Sequence, residues 1–408
     1  MGVYTASRAQ DAGTRNSGTV ALLAIIGLLV VLAANVGPAG ASPVDSVGSE
    51  SWNTTTPYPT DIWTQSCVAS GGYVYCVGGL TGTQTVKDVT SVVYYAPLSP
   101  SGIGQWTKTT SYPVQIRAQS CVAASSTIYC VGGYTTSAVS SGVYYASLSS
   151  SGVGQWTKTT SYPTAVWTNS CAASGSGIYC VGGITPVQNE SSSVYFAPFS
   201  SSGIGQWTSA TSYPVGVQQQ SCLTSGSDLY CVDGYADTRV YYAPLTSSGL
   251  GQWAETSGYP FTTGVDEASC AALSGEIYCV GGYTGPTISS DVYQAALSSS
   301  GVDQWVAATD YPSGVWAESC VASNGIYCVG GASNGNAILN GAYYMGGQTA
   351  ASSSTTGTTS QSVSSGASSS LPLQAIAIVD GMIAATVLIV GALYRFRVRG
   401  KSPIRESP

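Results

Sequence analysis

Three regularities predict an all-β chain that closes into a six-bladed β-propeller. They are a cysteine pair running into glycines, an alternating tyrosine run, and a Trp-x5-Tyr-Pro phrase, recurring with a period of 48 to 54 residues. The cysteine pairs are Cys67 and Cys76, Cys121 and Cys130, Cys171 and Cys180, Cys222 and Cys231, Cys270 and Cys279, and Cys320 and Cys328. Aromatic runs start at Val92, Val143, Val194, Val240, Val292 and Ala342. The Trp phrase opens at Trp106, Trp156, Trp207, Trp253 and Trp305.

Each period holds four strand candidates: one ending in the first cysteine, one holding the second cysteine and the glycines, one with the tyrosines, and one opening at the Trp. Short runs rich in β-branched and aromatic residues, bounded by Gly, Ser and Pro, are strands and turns. Composition agrees, with 28 Tyr and only 8% charged residues, so the helix formers Glu, Lys and Arg are scarce. Four antiparallel strands repeated every 40 to 50 residues or so make a propeller blade. A sixth Trp phrase, Trp52 to Pro59, precedes the first cysteine pair, and none follows Tyr344. The segment around Trp52 is therefore expected to complete blade six as an N-terminal closing strand, leaving no open edge.

Hairpin counting pairs the cysteines. Between Cys67 and Cys76 the midpoint is Gly71-Gly72, a favoured two-residue turn, and counting outward sets Cys67 opposite Cys76. The same count centres on Ser125-Ser126, Gly175-Ser176, Gly226-Ser227 and Ser274-Gly275, while Cys320 and Cys328 fit a three-residue loop around Asn324-Gly325. Directly opposed positions lie within disulfide reach. Six disulfides are expected, each contributing roughly 2 to 3 kcal/mol by loop entropy. The spacing is not a usual zinc pattern, the chain has no His, and there is no C-x-x-C redox motif, so neither a metal nor a cofactor is expected.

The flanks point outside the cell. Residues 1–41 read as a signal peptide: Val20 to Val36 is apolar, follows Arg8 and Arg15, and precedes Ala39-Gly40-Ala41. An uncleaved signal anchor is the alternative. The propeller is expected over 51–345, followed by a Ser/Thr-rich stalk at 346–370, a transmembrane helix at 371–394 and a basic cytoplasmic tail at 395–408. Arg395, Arg397, Arg399, Lys401 and Arg405 fix the orientation, with the propeller extracellular and the C-terminus in the cytoplasm. Within the spanning run, Asp380 beside Ala377, Gly381 and Ala385 suggests a helix contact and self-association. A net charge of −7 argues against a nucleic-acid partner. A surface so poor in ionisable groups also changes little in charge in an acidic medium. Asn53 and Asn189 stand in N-glycosylation sequons.

These residues resemble the kelch repeat, whose pattern is an apolar strand ending in a double glycine, a tyrosine on the next strand and a Trp opening the last. The resemblance covers Ser51 to Met345 and is carried by Gly78-Gly79, Gly132-Gly133, Gly182-Gly183, Gly281-Gly282 and Gly330-Gly331 with the tyrosines and tryptophans. Blade four departs from it, reading Cys231-Val232-Asp233-Gly234, and a Ser-rich insert lengthens every Tyr-to-Trp connection.

The resemblance implies that the residues before each first cysteine approach the mouth of the central channel, where ligands bind. Two places before it stand Gln65, Gln119, Asn169, Gln220, Ala268 and Glu318; four places before it stand Trp63, Arg117, Trp167, Gln218, Asp266 and Trp316. The first set is nearly uniform amide and the second varies sharply. Tryptophan faces beside amides and an Arg suit a sugar ring or a peptide. The expected function is extracellular binding, as an adhesin, envelope component or recognition module with a protein or glycan partner. A sugar-modifying, mutarotase-like ectoenzyme using Asp266, Glu267 or Glu318, and a structural surface-coat subunit, are the competing classes.

Overall fold

Alternate side chains of a strand face opposite sides, and here both sides of every sheet are covered. In the first blade Cys67, Val74 and Cys76 pack with Val321, Tyr327 and Val329 of the sixth, while Val68, Tyr75 and Val77 pack with Ile128 and Cys130 of the second. The protein, a computed structural model, is described over residues 51–82, 87–235, 237–261, 264–285 and 287–346. Six apolar clusters of this kind each fill the seam between consecutive blades, so the core is a ring of seams.

Blade one shows the pattern. Ser66–Ser70, Tyr73–Val77 and Val93–Ser99 form an antiparallel meander. The expected single outer strand is instead two short pieces, Gly102–Ile103 and Thr107–Lys108, both paired with the tyrosine strand. The Ser-rich insert makes this break, and it holds the preceding blade. Ile103 N–H donates to Thr55 Oγ1 at 2.6 Å, and the Thr55 hydroxyl donates to Ile103 O at 3.0 Å. Thr109 with Val153, Thr159 with Ile204, and Thr256 with Val302 repeat the exchange.

The ring closes as the unpaired Trp phrase requires. Trp52–Thr54 pairs with Ala342–Gly346, setting Asn53 opposite Tyr344 and Thr54 opposite Tyr343, the register in which Thr107 and Lys108 oppose Tyr95 and Tyr94. Asn53 stays exposed on this strand. Each Trp acts across a seam: Trp52 lies 4.9 Å from Tyr311, edge to face, and donates Nε1–H to Thr309 O at 3.0 Å. Trp106 does the same to Tyr58 and Thr56 O, and Trp156 to Tyr112 and Thr110 O. Trp207, Trp253 and Trp305 complete the set with Tyr162, Tyr213 and Tyr259.

All twelve cysteines pair across their own hairpins, as the turn count requires. Cys67 is bonded to Cys76, Cys121 to Cys130, Cys171 to Cys180, Cys222 to Cys231, Cys270 to Cys279 and Cys320 to Cys328, with Cα atoms 4.0 to 4.1 Å apart. In the fifth blade Cys279 is fully buried while Cys270 is only partly covered, so the staple runs from the seam toward the hairpin's accessible side. The only ion pair among the described residues is Arg239 with Asp237, near the surface, so the seams are held almost without charge.

Blade four departs where its glycine is missing. A Cβ added to Gly78, Gly182 or Gly330 would sit 2.8 to 3.1 Å from the side-chain amide nitrogen of Gln119, Gln220 or Gln65 on the next blade. At the equivalent sequence position in blade four stands Asp233, and at the amide position of blade five stands the short Ala268. The hairpin of blade four extends into Asp228–Gly234 and Asp237–Thr246, with a register shift between Val232 and Gly234.

The segments expected to be a signal peptide, a stalk beyond Gly346, a membrane span with Ala377, Asp380, Gly381 and Ala385, and a basic tail lie outside the described residues. Among those that are described, no helix is long and apolar enough to cross a membrane.

Candidate functional site

Three sets of repeated positions lead from the seams to the axis. The first is the serine before each first cysteine. In a directly opposed pair that exchanges no hydrogen bonds, the cysteine N–H points away from its hairpin partner. Here Cys67 N–H donates to Ser319 Oγ, Cys121 to Ser66, Cys171 to Ser120, Cys222 to Ser170, Cys270 to Ser221 and Cys320 to Ser269, at 2.8 to 3.1 Å. The ring of blades is thereby stitched once per seam.

The second set is the amide position. Gln65, Gln119 and Gln220 are buried, and their Nε2 groups donate at 2.7 Å to Val329 O, Val77 O and Val181 O, the carbonyls before the preceding blade's glycines. Asn169 is one methylene shorter and points Nδ2 at Cys171 Sγ, 3.2 Å away. Glu318 is 6% exposed, and neither carboxyl oxygen has a hydrogen-bond partner. Gln65, Gln119 and Gln220 thus bond across three of the seams behind the mouth.

The third set is backbone. Thr64, Ala118, Thr168, Gln219, Glu267 and Ala317 all take left-handed φ, between 49° and 61°, uncommon for residues with a side chain. The N–H of each donates to the carbonyl of its neighbour, from Thr64 to Ala317, Ala317 to Glu267, Glu267 to Gln219, Gln219 to Thr168, Thr168 to Ala118 and Ala118 back to Thr64, at 2.9 to 3.3 Å. This closed cycle satisfies twelve backbone groups that converge on the axis. Beside it lies an axial cavity of about 160 Å³ lined by these six residues and the amide set. The unpaired Gln65, Gln119 and Gln220 Oε1 atoms make its surroundings rich in acceptors.

At the mouth, the six variable residues are all positioned alike. Trp63, Arg117, Trp167, Asp266 and Trp316 each form an antiparallel bridge to the residue after a double glycine, and Tyr235 N–H donates to Gln218 O. The side chains then separate into two lobes. Trp63 and Trp316 meet edge to face at 5.2 Å with Tyr283 alongside Trp316. Across blades two and three, the Arg117 guanidinium lies 5.0 Å from the Tyr134 ring and 5.2 Å from the Trp167 ring. Burial lowers the Arg117 pKa, opposed by the charges of Tyr134 and Glu267. Among the described residues Arg117 makes no ion pair. Gln218 Nε2 donates to Glu190 Oε1 at 3.1 Å, beside a polar groove that also includes Asn189. Asp266 is buried.

Glu267 stands between mouth and axis. Burial pushes its pKa up to about 7; a hydrogen bond from Gln219 opposes this, Asp266 adds to it and Arg117 opposes it. A carboxyl that titrates near neutrality beside a cation can exchange a proton. Tyr134 and Tyr283 were legible as the residues after the glycines, and the serines as the Ser-Cys pair present in all six repeats. Nothing in residue type marks the axial ring.

The comparisons agree with this architecture. The family profile described as Kelch motif matches residues 267–294, the inner hairpin of blade five and the start of its third strand. The solved structure of YjhT superposes with a TM-score of 0.59 at 12% identity, over 72% of this chain and 97% of that one, a likeness of fold. No curated protein matches the sequence. With the double glycines, tyrosine strands and seam tryptophans repeated around a closed ring, the chain is a kelch-type six-bladed β-propeller.

Proposed function

We propose that this protein is a cell-surface recognition module that binds a glycan or protein ligand at the mouth of its propeller. The observation that carries the reading is the contrast between neighbouring positions. The serine position makes a seam bond in all six blades and the amide position does so at Gln65, Gln119 and Gln220, whereas the mouth position holds Trp63, Arg117, Trp167, Gln218, Asp266 and Trp316 on one common backbone frame. A fold that keeps its frame and varies the chemistry presented on it is suited to recognition. Trp167 and Trp316, both partly exposed, supply aromatic surface and the Arg117 guanidinium supplies directed donors, while Trp63 is buried against Leu80, Ala317, Ala332 and Ile338 and backs Trp316. The apolar run at 371–394 and the signal-like N-terminus support placement of the propeller outside the membrane, where its disulfides persist.

Screening the purified chain against immobilised glycans and cell-surface extracts tests this. Binding is expected to be lost on Trp63→Ala and Trp167→Ala. Specific binding indifferent to both would move recognition away from the mouth.

Glu267 favours a second reading, a sugar-modifying ectoenzyme in which its carboxyl moves a proton near Arg117. Turnover of a reducing sugar, abolished by Glu267→Gln and by Asp266→Ala, would establish it; no turnover of any sugar tested removes it.

A further inference from the structure

Glu318 occupies a position built for an amide. The Cβ atoms of Gln65, Gln119 and Glu318 lie alike, 3.0, 2.8 and 2.9 Å from a Cβ placed on the second glycine of the same blade. From there Gln65 and Gln119 each donate one N–H to the carbonyl before the preceding blade's glycines. In the seam between blades five and six, the corresponding carbonyl is that of Val280. A carboxylate has no proton to donate, whereas a carboxylic acid has one.

We propose that Glu318 works as a neutral carboxylic acid that replaces the amide of the repeat, making the seam between blades five and six a lock closed by a proton and loosened in alkali. Burial pushes the Glu318 pKa up to about 8. The backbone N–H groups of Glu318 and Ser269 pull the other way, outside hydrogen-bonding geometry, and the Glu267 charge adds to the rise. The other titratable group facing it is Tyr311, itself buried and held neutral. Glu267, facing Asp266 and Arg117, shifts in the same direction.

The sign follows from linkage. In the unfolded chain Glu318 loses its proton near its ordinary value of 4.5; in the fold it keeps the proton to about 8. Between those values the unfolded state binds fewer protons, so stability falls as pH rises and levels off above the folded value. The closing strand packs into this same seam through Trp52, which lies edge to face against Tyr311.

Thermal melts of the full-length chain and of Glu318→Gln, at about pH 5 and about pH 8.5, test the lock. Glu318→Gln is expected to melt within a degree or so of the parent in acid and roughly 5 °C or more above it in alkali. An offset equal at both pH values, or a variant that melts lower at both, overturns the proposal, because a purely structural role does not alter the pH profile. Gln119→Glu gives an independent arm should Glu318→Gln not fold. It should match the parent in acid and melt several degrees lower in alkali; a pH-independent loss would count against the lock equally.

Discussion

The seams and the mouth are built from the same six repeats, yet they use them in opposite ways. Along the seams each repeat contributes the same bonds to its neighbour, a Trp indole to a carbonyl and a cysteine N–H to a serine, and four of the seams add the two-way exchange between a Thr hydroxyl and an insert. At the mouth the backbone bridge is common and the side chains differ. A circular array demands this division. A blade can bury its two faces only if both neighbours present complementary faces, so seam chemistry must be periodic, whereas the position beyond the last seam bond is released from that demand. Stability therefore resides in what recurs, and the proposed recognition would reside in what does not.

Breaking the closure should have the largest effect, because it is the one seam whose outer strand comes from the other end of the chain. Removal of residues 51–59 takes from blade six its outer strand and the Trp52 bond to Thr309 O. It exposes the edge of Ala342–Gly346 and is expected to abolish monomeric folding, leaving aggregates or strand-exchanged oligomers by size-exclusion chromatography. Trp52→Ala alone should cost about 3 kcal/mol in denaturant unfolding. A truncated chain that stays monomeric and melts cooperatively would show that the seams alone hold the ring.

Next in size are the disulfides. Replacing Cys171 and Cys180 together with alanine should cost roughly 2 to 3 kcal/mol while leaving the hairpin register intact. Because the staple closes a short loop within one blade, the loss should be similar for Cys121 with Cys130 and for Cys270 with Cys279. Markedly unequal losses would mean that the blades are not energetically equivalent.

The two sequence departures, Asp233 in blade four and Ala268 in blade five, give a sharper test of periodicity. Ala268→Gln places an amide where the preceding blade has Asp233 in place of glycine, and overpacking of this kind costs about 1 to 3 kcal/mol. Adding Asp233→Gly should recover most of it, with a coupling energy above about 0.5 kcal/mol in a double-mutant cycle. Additive effects would separate the two departures.

Much of this was readable from the letters because each feature rests on local geometry. The two-residue turns place Cys67 opposite Cys76 and Cys270 opposite Cys279, and the surplus Trp52 phrase implies a closing strand, by counting alone. The split outer strand was not readable. Whether Gly102–Ile103 pairs or loops depends on Thr55, 48 residues away around the ring. The axial cycle was hidden for a different reason: Thr64, Ala118 and Glu267 share a left-handed backbone and no side-chain property, so only closure of the ring makes the conformation favourable. At the candidate site the sequence separated the variable positions from the uniform ones. It did not reveal that Gln65 and Gln119 face a seam carbonyl, since an amide beside a channel and an amide between blades read alike.

The smallest expected effect on stability is at the mouth, and there the comparison is most exposed to failure. Arg117 is half-buried between Tyr134 of its own blade and Trp167 of the next, in a contact that does not recur around the ring. Arg117→Ala removes cation–π contacts of about 0.5 to 1 kcal/mol each at an accessible site, some of it returned by better solvation of the two rings. A melting change of no more than a few degrees is expected, alongside a tenfold or greater loss of affinity for any ligand whose binding also depends on Trp167. Ser120→Ala is the matched control. It leaves the mouth untouched and deprives Cys171 N–H of its acceptor, so it should cost about 1 to 3 kcal/mol with no change in affinity. If Arg117→Ala proved as destabilising as Ser120→Ala, the mouth would be part of the frame, and the division between recurring and varying positions would not separate stability from recognition.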